Sequence, residues 1–160
     1  MESPALMLAQ IAALTFQALW LSIAAYSNWR YPRTNRDSVI KVLTMELTKE
    51  DAGIYEDHRH RKIEDLSLMH RVFVVVCAVE TLVAAALWAS AVLMGLVLLD
   101  AATPAFAKAV AILSVTAFTS IWAAFLVGGQ WFHYWVSAES PQGTHFSMLL
   151  WGLATLILLK

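Results

Sequence analysis

Hydrophobic positions along the chain fall into four apolar stretches, at about residues 5–26, 72–99, 106–128 and 143–159. A helix needs about 20 apolar residues to cross the hydrocarbon core of a bilayer. The first three stretches reach that length, and the fourth is short. Because backbone polar groups in lipid must bond within their own segment, each stretch is predicted to be a helix. The pattern predicts an all-α integral membrane protein, a four-transmembrane-helix bundle in a single domain over residues 1–160.

Charged residues are concentrated in the long first loop, residues 27–71. This loop holds nine of the eleven Lys and Arg residues and eight of the twelve acidic residues. Within it, Asp37 or Ser38 is predicted to cap a short amphipathic helix that ends at Leu47, and residues 48–51 have the spacing of a capping box. We expect this helix either to lie in the headgroup plane over the bundle or to pack on a partner.

Composition supports a membrane protein and excludes some other classes. Apolar residues make up 59% of the chain and charged residues 14%, against about 25% charged in an average soluble domain. A net charge of −1 does not indicate the basic surface of a nucleic-acid-binding protein. The single cysteine, Cys77, excludes an intrachain disulfide. The cations that follow the first stretch favour a cytoplasmic loop, but a long loop follows that rule weakly, so the orientation stays open.

Glu80 stands near the middle of the second stretch, where a carboxylate costs about 2.5–3.5 kcal/mol to insert. In one interpretation Glu80, with His70 and Thr81 on the same helix, belongs to a quinone, ion or proton site. In the other, Glu80 links helices by bonding a hydroxyl group. The candidate hydroxyls are those of Thr81, Ser90, Thr116 and Thr119. The structural interpretation is favoured, because the apolar stretches contain no second acidic residue.

Aromatic and histidine side chains collect where the stretches meet the charged loop. The candidates for a partner surface are Trp29, Arg30, Trp131, His133 and Trp135. Trp favours the headgroup level, and Trp and Arg anchor interfaces. Contact with a lipid or a quinone is compatible with this surface. A metal or a haem is disfavoured, because His58 and His60 are flanked by cations.

A stripe of small residues marks the third stretch, where Ser120, Ala124 and Gly128 recur every four residues. Small residues at this spacing let helix backbones approach closely in lipid. We interpret the stripe as the seam inside the bundle; the alternative is a face for another subunit.

Three sequence blocks resemble a bacterial family known only as predicted small integral membrane proteins, with a domain of unknown function. The blocks are residues 28–45, residues 68–82 and residues 127–135, the last with the pattern Gly-Gly-x-Trp-Phe-x-x-Trp. The chain departs from the family pattern in its second connection (residues 100–105), which is poor in basic residues, and in its unusually charged first loop. The resemblance implies a four-span protein of the bacterial cytoplasmic (inner) membrane, and it brings no activity with it.

Two function classes remain. The first is a non-catalytic accessory or structural subunit of a larger inner-membrane complex, of the respiratory or photosynthetic electron-transfer kind, with membrane lipids and other integral membrane subunits as partners. The second is a membrane protein that binds a small ligand (a quinone, a metal or a proton path) through Glu80 and the loop-side histidines. An enzyme is not favoured, because no nucleophile–base pair is recognisable.

Overall fold

The computed structural model describes residues 3–160, and over that range the chain is helical and has no strand. Its α-helices are α1 (Pro4–Arg30), α2 (Pro32–Leu43), α3 (Ala52–His58), α4 (Leu66–Leu98), α5 (Pro104–Trp131) and α6 (Glu139–Leu158). Short 3₁₀ helices lie at Leu47–Glu50, Arg59–Arg61 and Tyr134–Val136. The predicted all-α class is confirmed for these residues.

Three of the described helices, α1, α4 and α5, are long and apolar enough to cross a membrane. They contain the first three predicted stretches almost entirely, and α4, with 33 residues, is the longest. Helix α6 has 20 residues but begins with the polar segment 139–143, and it is not among the three. The fourth span therefore stays a prediction.

The first loop is helical over more of its length than predicted, and its helix boundaries differ. Helix α2 begins at Pro32 and ends at Leu43, so the predicted start at Asp37 or Ser38 is wrong. Proline suits the first helical position, because its φ is already helical and its missing N–H is not needed there. The capping box at residues 48–51 is also wrong, since Asp51 caps α3 instead by accepting from the Ile54 amide at 3.1 Å.

The long helices pack as one antiparallel bundle. Helix α1 packs on α4, α4 on α5 and α5 on α6, while α6 also contacts α1. The side chains that fill the centre are fully buried; they include Leu14, Leu21, Leu87, Val115 and Phe118. The end of α1, the start of α4, the end of α5 and the start of α6 therefore lie at one end of the bundle, together with α2 and α3. We call this end the loop side.

The small-residue stripe of α5 does not form the seam inside the bundle, so that interpretation is wrong. Ser120 and Ala124 are exposed, and nothing lies within 4 Å of a Cβ atom added to Gly128. The buried face of α5 instead carries small residues near its start and large ones further along: Ala107, Ala111, Ser114, Phe118 and Trp122. Phe118 and Trp122 bring much larger apolar surfaces to the interior than the stripe residues would. Ser120 lies two positions after Phe118, so it faces the opposite side of α5.

Candidate functional site

A buried polar chain links three helices at the loop side. The Asn28 amide, in the last turn of α1, donates to Oε2 of Glu80 on α4 at 2.7 Å. The Asn35 amide on α2 in turn donates to Oδ1 of Asn28. Glu80 and Asn28 are each only 4% exposed, whereas Asn35 lies at the surface. This chain ties α2 to the bundle and gives Glu80 a donor inside the apolar interior.

The hydroxyls predicted to bond Glu80 are engaged elsewhere. Thr81 accepts from the Trp29 indole at 3.0 Å and donates to the Cys77 carbonyl. Ser90 bonds Ser114, while Thr116 and Thr119 donate to carbonyls of their own helix. The prediction of a hydroxyl partner is wrong, because the face of α4 that carries Glu80 packs on α1 and meets the end of that helix.

His70 and Glu80 are not brought together. His70 is exposed in the first turns of α4, whereas Glu80 is buried ten residues further along the helix, which corresponds to about 15 Å. The described residues include no group of three His, Cys, Asp or Glu side chains able to hold a metal ion. The exposed His70 and the buried Glu80 therefore do not form one ligand site with Thr81.

Two buried glutamines of α1, which the sequence reasoning missed, bond α6. The Gln17 amide donates to the Thr155 hydroxyl at 2.9 Å, and the Gln10 amide donates to the Leu158 carbonyl at 2.9 Å. Both glutamines are fully buried. Their spacing of seven residues, two helical turns, was a signal in the sequence, since polar residues so spaced share one face.

The charged loop contacts the third connection (residues 130–143) directly. Arg61 donates through Nη1 to the Trp131 carbonyl at 3.0 Å, and its guanidinium carbon lies 4.5 Å from the centroid of the Trp131 ring. The Ser137 hydroxyl donates to the Leu47 carbonyl at 2.8 Å. These bonds place the two segments at the same end of the bundle. Arg61 itself was not among the predicted residues, and the shared side of the membrane stays a prediction.

The five candidates for a partner surface divide between different neighbours. Trp29 bonds Thr81, and the Arg30 guanidinium lies 5.1 Å from the Tyr31 ring centroid. His133, by contrast, contacts Arg61 and also Trp135, with the His133 and Trp135 ring centroids 6.2 Å apart. Trp29 and Trp131 remain more than half exposed. The close grouping of all these side chains therefore stays a prediction.

His133 is positioned by an unusual backbone conformation. Its φ of 51° and ψ of 30° are left-handed, and they turn the chain just after α5 ends. The ring then lies 4.2 Å from that of His58, centroid to centroid, and its Nε2 lies 3.2 Å from Nη1 of Arg61. Burial lowers the pKa of His133 from 6.5, and the neighbouring His58 and Arg61 lower it further. The cationic form is thus disfavoured at this site.

A second aromatic cluster anchors the start of α6. Tyr134 is buried, and its hydroxyl lies 3.0 Å from Nδ1 of His145. The His145 ring also lies 5.0 Å from the ring of Phe125 and 5.7 Å from that of Trp122, centroid to centroid. The cluster joins the third connection to both helices that it links.

Comparison with known families matches residues 6–160 to a family described as predicted small integral membrane protein (DUF2165). The chain belongs to this family. Neither the curated proteins nor the solved structures give a match. Membership states that the chain is an integral membrane protein, and the family has no assigned function.

The structure also relates the three blocks that carried the resemblance. Asn28 of the first block bonds Glu80 of the second. In the third block, a Cβ atom added to Gly129 would lie 1.7 Å from Cε1 of Tyr134, so any other residue there requires the Tyr134 ring to move. Two of the blocks therefore meet in the polar chain, and the third builds the turn that presents Trp131 and His133.

Proposed function

We propose that this membrane protein is a non-catalytic structural subunit of a larger complex in the bacterial inner membrane. The observation that carries the proposal is the outward face of α5. Ser120 and Ala124 are exposed there, between the exposed Leu113 and Val127. In lipid, small residues four apart allow a second helix to approach closely. A helix of another subunit is the occupant that this face fits.

The interior supports a structural role. Most of the polar side chains buried within the long helices join helices of the same chain: Glu80 with Asn28, Gln17 with Thr155, and Ser90 with Ser114. Such bonds contribute about 0.6 kcal/mol each on average in membrane proteins. Groups that are occupied in this way act as links between helices. The respiratory or photosynthetic nature of the complex stays a prediction from the sequence.

The proposal includes a fourth span, α6. Gln17 and Gln10 of α1 bond Thr155 and Leu158, so α6 runs antiparallel along a helix that is apolar enough to cross the membrane. Its 20 residues give about 30 Å of helix, the thickness of the hydrocarbon core. A reporter fused after Lys160 tests this point. If it lies on the loop side of the membrane, α6 does not cross.

Co-purification tests the subunit role. The chain, carrying the only affinity tag, is purified in mild detergent from its native membrane, and the proteins that migrate with it are identified. We expect integral membrane partners with the natural chain and their loss in a Ser120→Leu, Ala124→Leu double variant, because leucine side chains hold the second helix away. Ala12→Leu, an exposed alanine on α1, is the matched control.

Either of two results contradicts the proposal. One is a natural chain that migrates without any partner. The other is a double variant that keeps its partners while its helix content is unchanged. A Trp131→Ala, Trp135→Ala variant extends the test to the loop side, where release of partners at unchanged helix content is expected if that surface also docks.

A further inference from the structure

The cavity at the loop-side end of α5 has the chemistry of an anion site. The volume of this open cavity is about 460 Å³, which lies within the usual range of about 300–1,000 Å³ for ligand pockets. The residues that line it are His58, Arg61, Val127, Gln130, Trp131 and His133. One wall therefore comes from the charged loop and the other from the last turns of α5. None of these residues takes part in the Glu80 chain, while Val127 borders the exposed face of α5 and Trp131 belongs to the candidate partner surface.

The hydrogen bonds around the cavity leave donors without acceptors. A guanidinium only donates, so in the contact between Arg61 and His133 the Nε2 atom of the imidazole accepts. The proton of the neutral His133 ring is then on Nδ1. Within residues 3–160, neither this Nδ1 nor Nε of Arg61 has a hydrogen-bond partner, and both are buried. Buried polar groups are normally paired, and here both unpaired atoms are donors.

The charges around the cavity also favour an anion. Arg59 pairs with Glu56 and Lys62 pairs with Glu64, at 3.4 and 2.5 Å. Arg61, between them, forms no ion pair with any carboxylate of the described chain, and it contacts an imidazole and a carbonyl instead. A guanidinium so placed repels a metal ion and attracts an anion. Its planar set of N–H groups suits the oxygens of a phosphate.

The surroundings favour a lipid as the source of that phosphate. The cavity opens where α5, a helix able to span the membrane, ends at Trp131. Val127, one turn deeper, is 72% exposed, and Trp131 is 56% exposed. A phospholipid has its phosphate above its acyl chains, so its phosphate would meet the cationic group while its chains meet the apolar surface below. Basic pockets at the ends of membrane spans bind lipid headgroups in this way.

We propose that this cavity binds the headgroup phosphate of an anionic phospholipid, with Arg61 and His133 as its donors. The phosphate oxygens accept from Nε of Arg61 and Nδ1 of His133, and the lipid chains lie along Val127. Binding requires the two side chains to rotate, because both unpaired nitrogen atoms are buried. The site does not depend on the subunit role proposed above, since a free subunit presents the same cavity.

Native mass spectrometry of the full chain in mild detergent tests the site. The probes are phosphatidylglycerol, a diacylglycerol with the same acyl chains but no phosphate, and inorganic phosphate. We expect phosphatidylglycerol to bind and the other two to bind far more weakly. Arg61→Gln should weaken phosphatidylglycerol binding about tenfold or more, because a hydrogen bond to a charged group is lost. Arg59→Gln, two residues earlier in the same 3₁₀ helix, should leave binding unchanged.

A second measurement keeps the proposal testable if Arg61→Gln does not fold. In the natural chain, the ¹⁵N–¹H signal of His133 Nδ1 should shift on addition of phosphatidylglycerol and not on addition of diacylglycerol. The proposal is overturned by equal binding of diacylglycerol, or by equal losses in Arg59→Gln and Arg61→Gln. Displacement of the lipid by an equal concentration of inorganic phosphate would assign the site to free phosphate instead. Unchanged lipid binding in an Arg61→Gln chain that has lost a protein partner would assign the donors to that partner.

Discussion

Gly129 and Tyr134 are packed so closely that a Cβ atom on Gly129 would lie 1.7 Å from Cε1 of the tyrosine ring. Tyr134 is buried and its hydroxyl contacts His145, so the ring has a fixed place between α5 and α6. The adjacent Gly128 has nothing within 4 Å of the corresponding position. The two glycines thus form a natural pair of test and control sites.

We expect Gly129→Ala to destabilise the isolated subunit by about 1–3 kcal/mol, the usual cost of overpacking. Gly128→Ala should be neutral or slightly stabilising, because alanine favours helix over glycine. Thermal unfolding of both variants in detergent measures the difference. Equal unfolding temperatures would show that Tyr134 moves aside without cost.

The bond between Asn28 and Glu80 predicts unequal effects at its two ends. Asn28→Ala should cost about 1–3 kcal/mol, because it leaves the buried Glu80 without its donor. Glu80→Gln should cost less than about 1 kcal/mol, since the amide oxygen still accepts from Asn28. Asn35→Ala serves as the comparison, because Asn35 is at the surface. Its loss removes the donor to Oδ1 of Asn28 but leaves the bond between Asn28 and Glu80 in place. Chemical unfolding in mixed micelles gives the three values, and an Asn28→Ala loss no greater than that of Asn35→Ala would contradict the structural role.

The link between α1 and α6 predicts tolerance at Gln17. In Gln17→Met the Thr155 hydroxyl keeps its bond to the Trp151 carbonyl, and the buried Gln17 Oε1, which has no partner within the described residues, is removed. We therefore expect a change within about 1 kcal/mol. Gln17→Ala is the contrasting variant, because it also leaves a cavity. Unfolding of both in the same detergent measures the difference, and a large loss in Gln17→Met would show that the polar bond itself stabilises α6.

His133 predicts a dependence of stability on pH. Its pKa in the folded chain lies below the 6.5 of an ordinary histidine, first because of burial and then because of His58 and Arg61. Between those two values the unfolded chain binds the proton and the folded chain does not, so stability rises with pH there. The stability that the neutral His133 contributes is thus fully present above pH 6.5. It is lost as the pH falls through the lower pKa that His133 has in the folded chain.

An NMR titration of the His133 ring checks this expectation. Arg61→Gln should raise the pKa of His133 towards 6.5 by removing the neighbouring cation, while burial keeps it below that value. Arg59→Gln should leave it unchanged. A His133 pKa at or above 6.5 in the natural chain would mean that a negative charge lies beside the ring.

Some of the candidate site was predictable and some was not. Glu80 and His133 stand out in sequence because of their chemistry and position. Arg61 does not, since it is one cation among several in residues 59–62, and only its contacts with Trp131 and His133 distinguish it. The glutamines Gln10 and Gln17 were detectable from their spacing. Their partners on α6 lie more than 130 residues away in sequence, and no local pattern identifies such a pair.

The sequence by itself determined that this is a helical membrane protein, where its long apolar helices lie, and that the charged loop and the aromatic third connection lie at one end of the bundle. Long apolar stretches have no other solution in lipid, and antiparallel order then gathers those segments. Only the tertiary structure decided that Asn28 faces Glu80, that the Ser120 stripe faces outward, and that Arg61 reaches His133. Each residue turns a helix by about 100°, so helix faces are assigned by how the helices rotate against one another, which depends on the packing of the whole bundle.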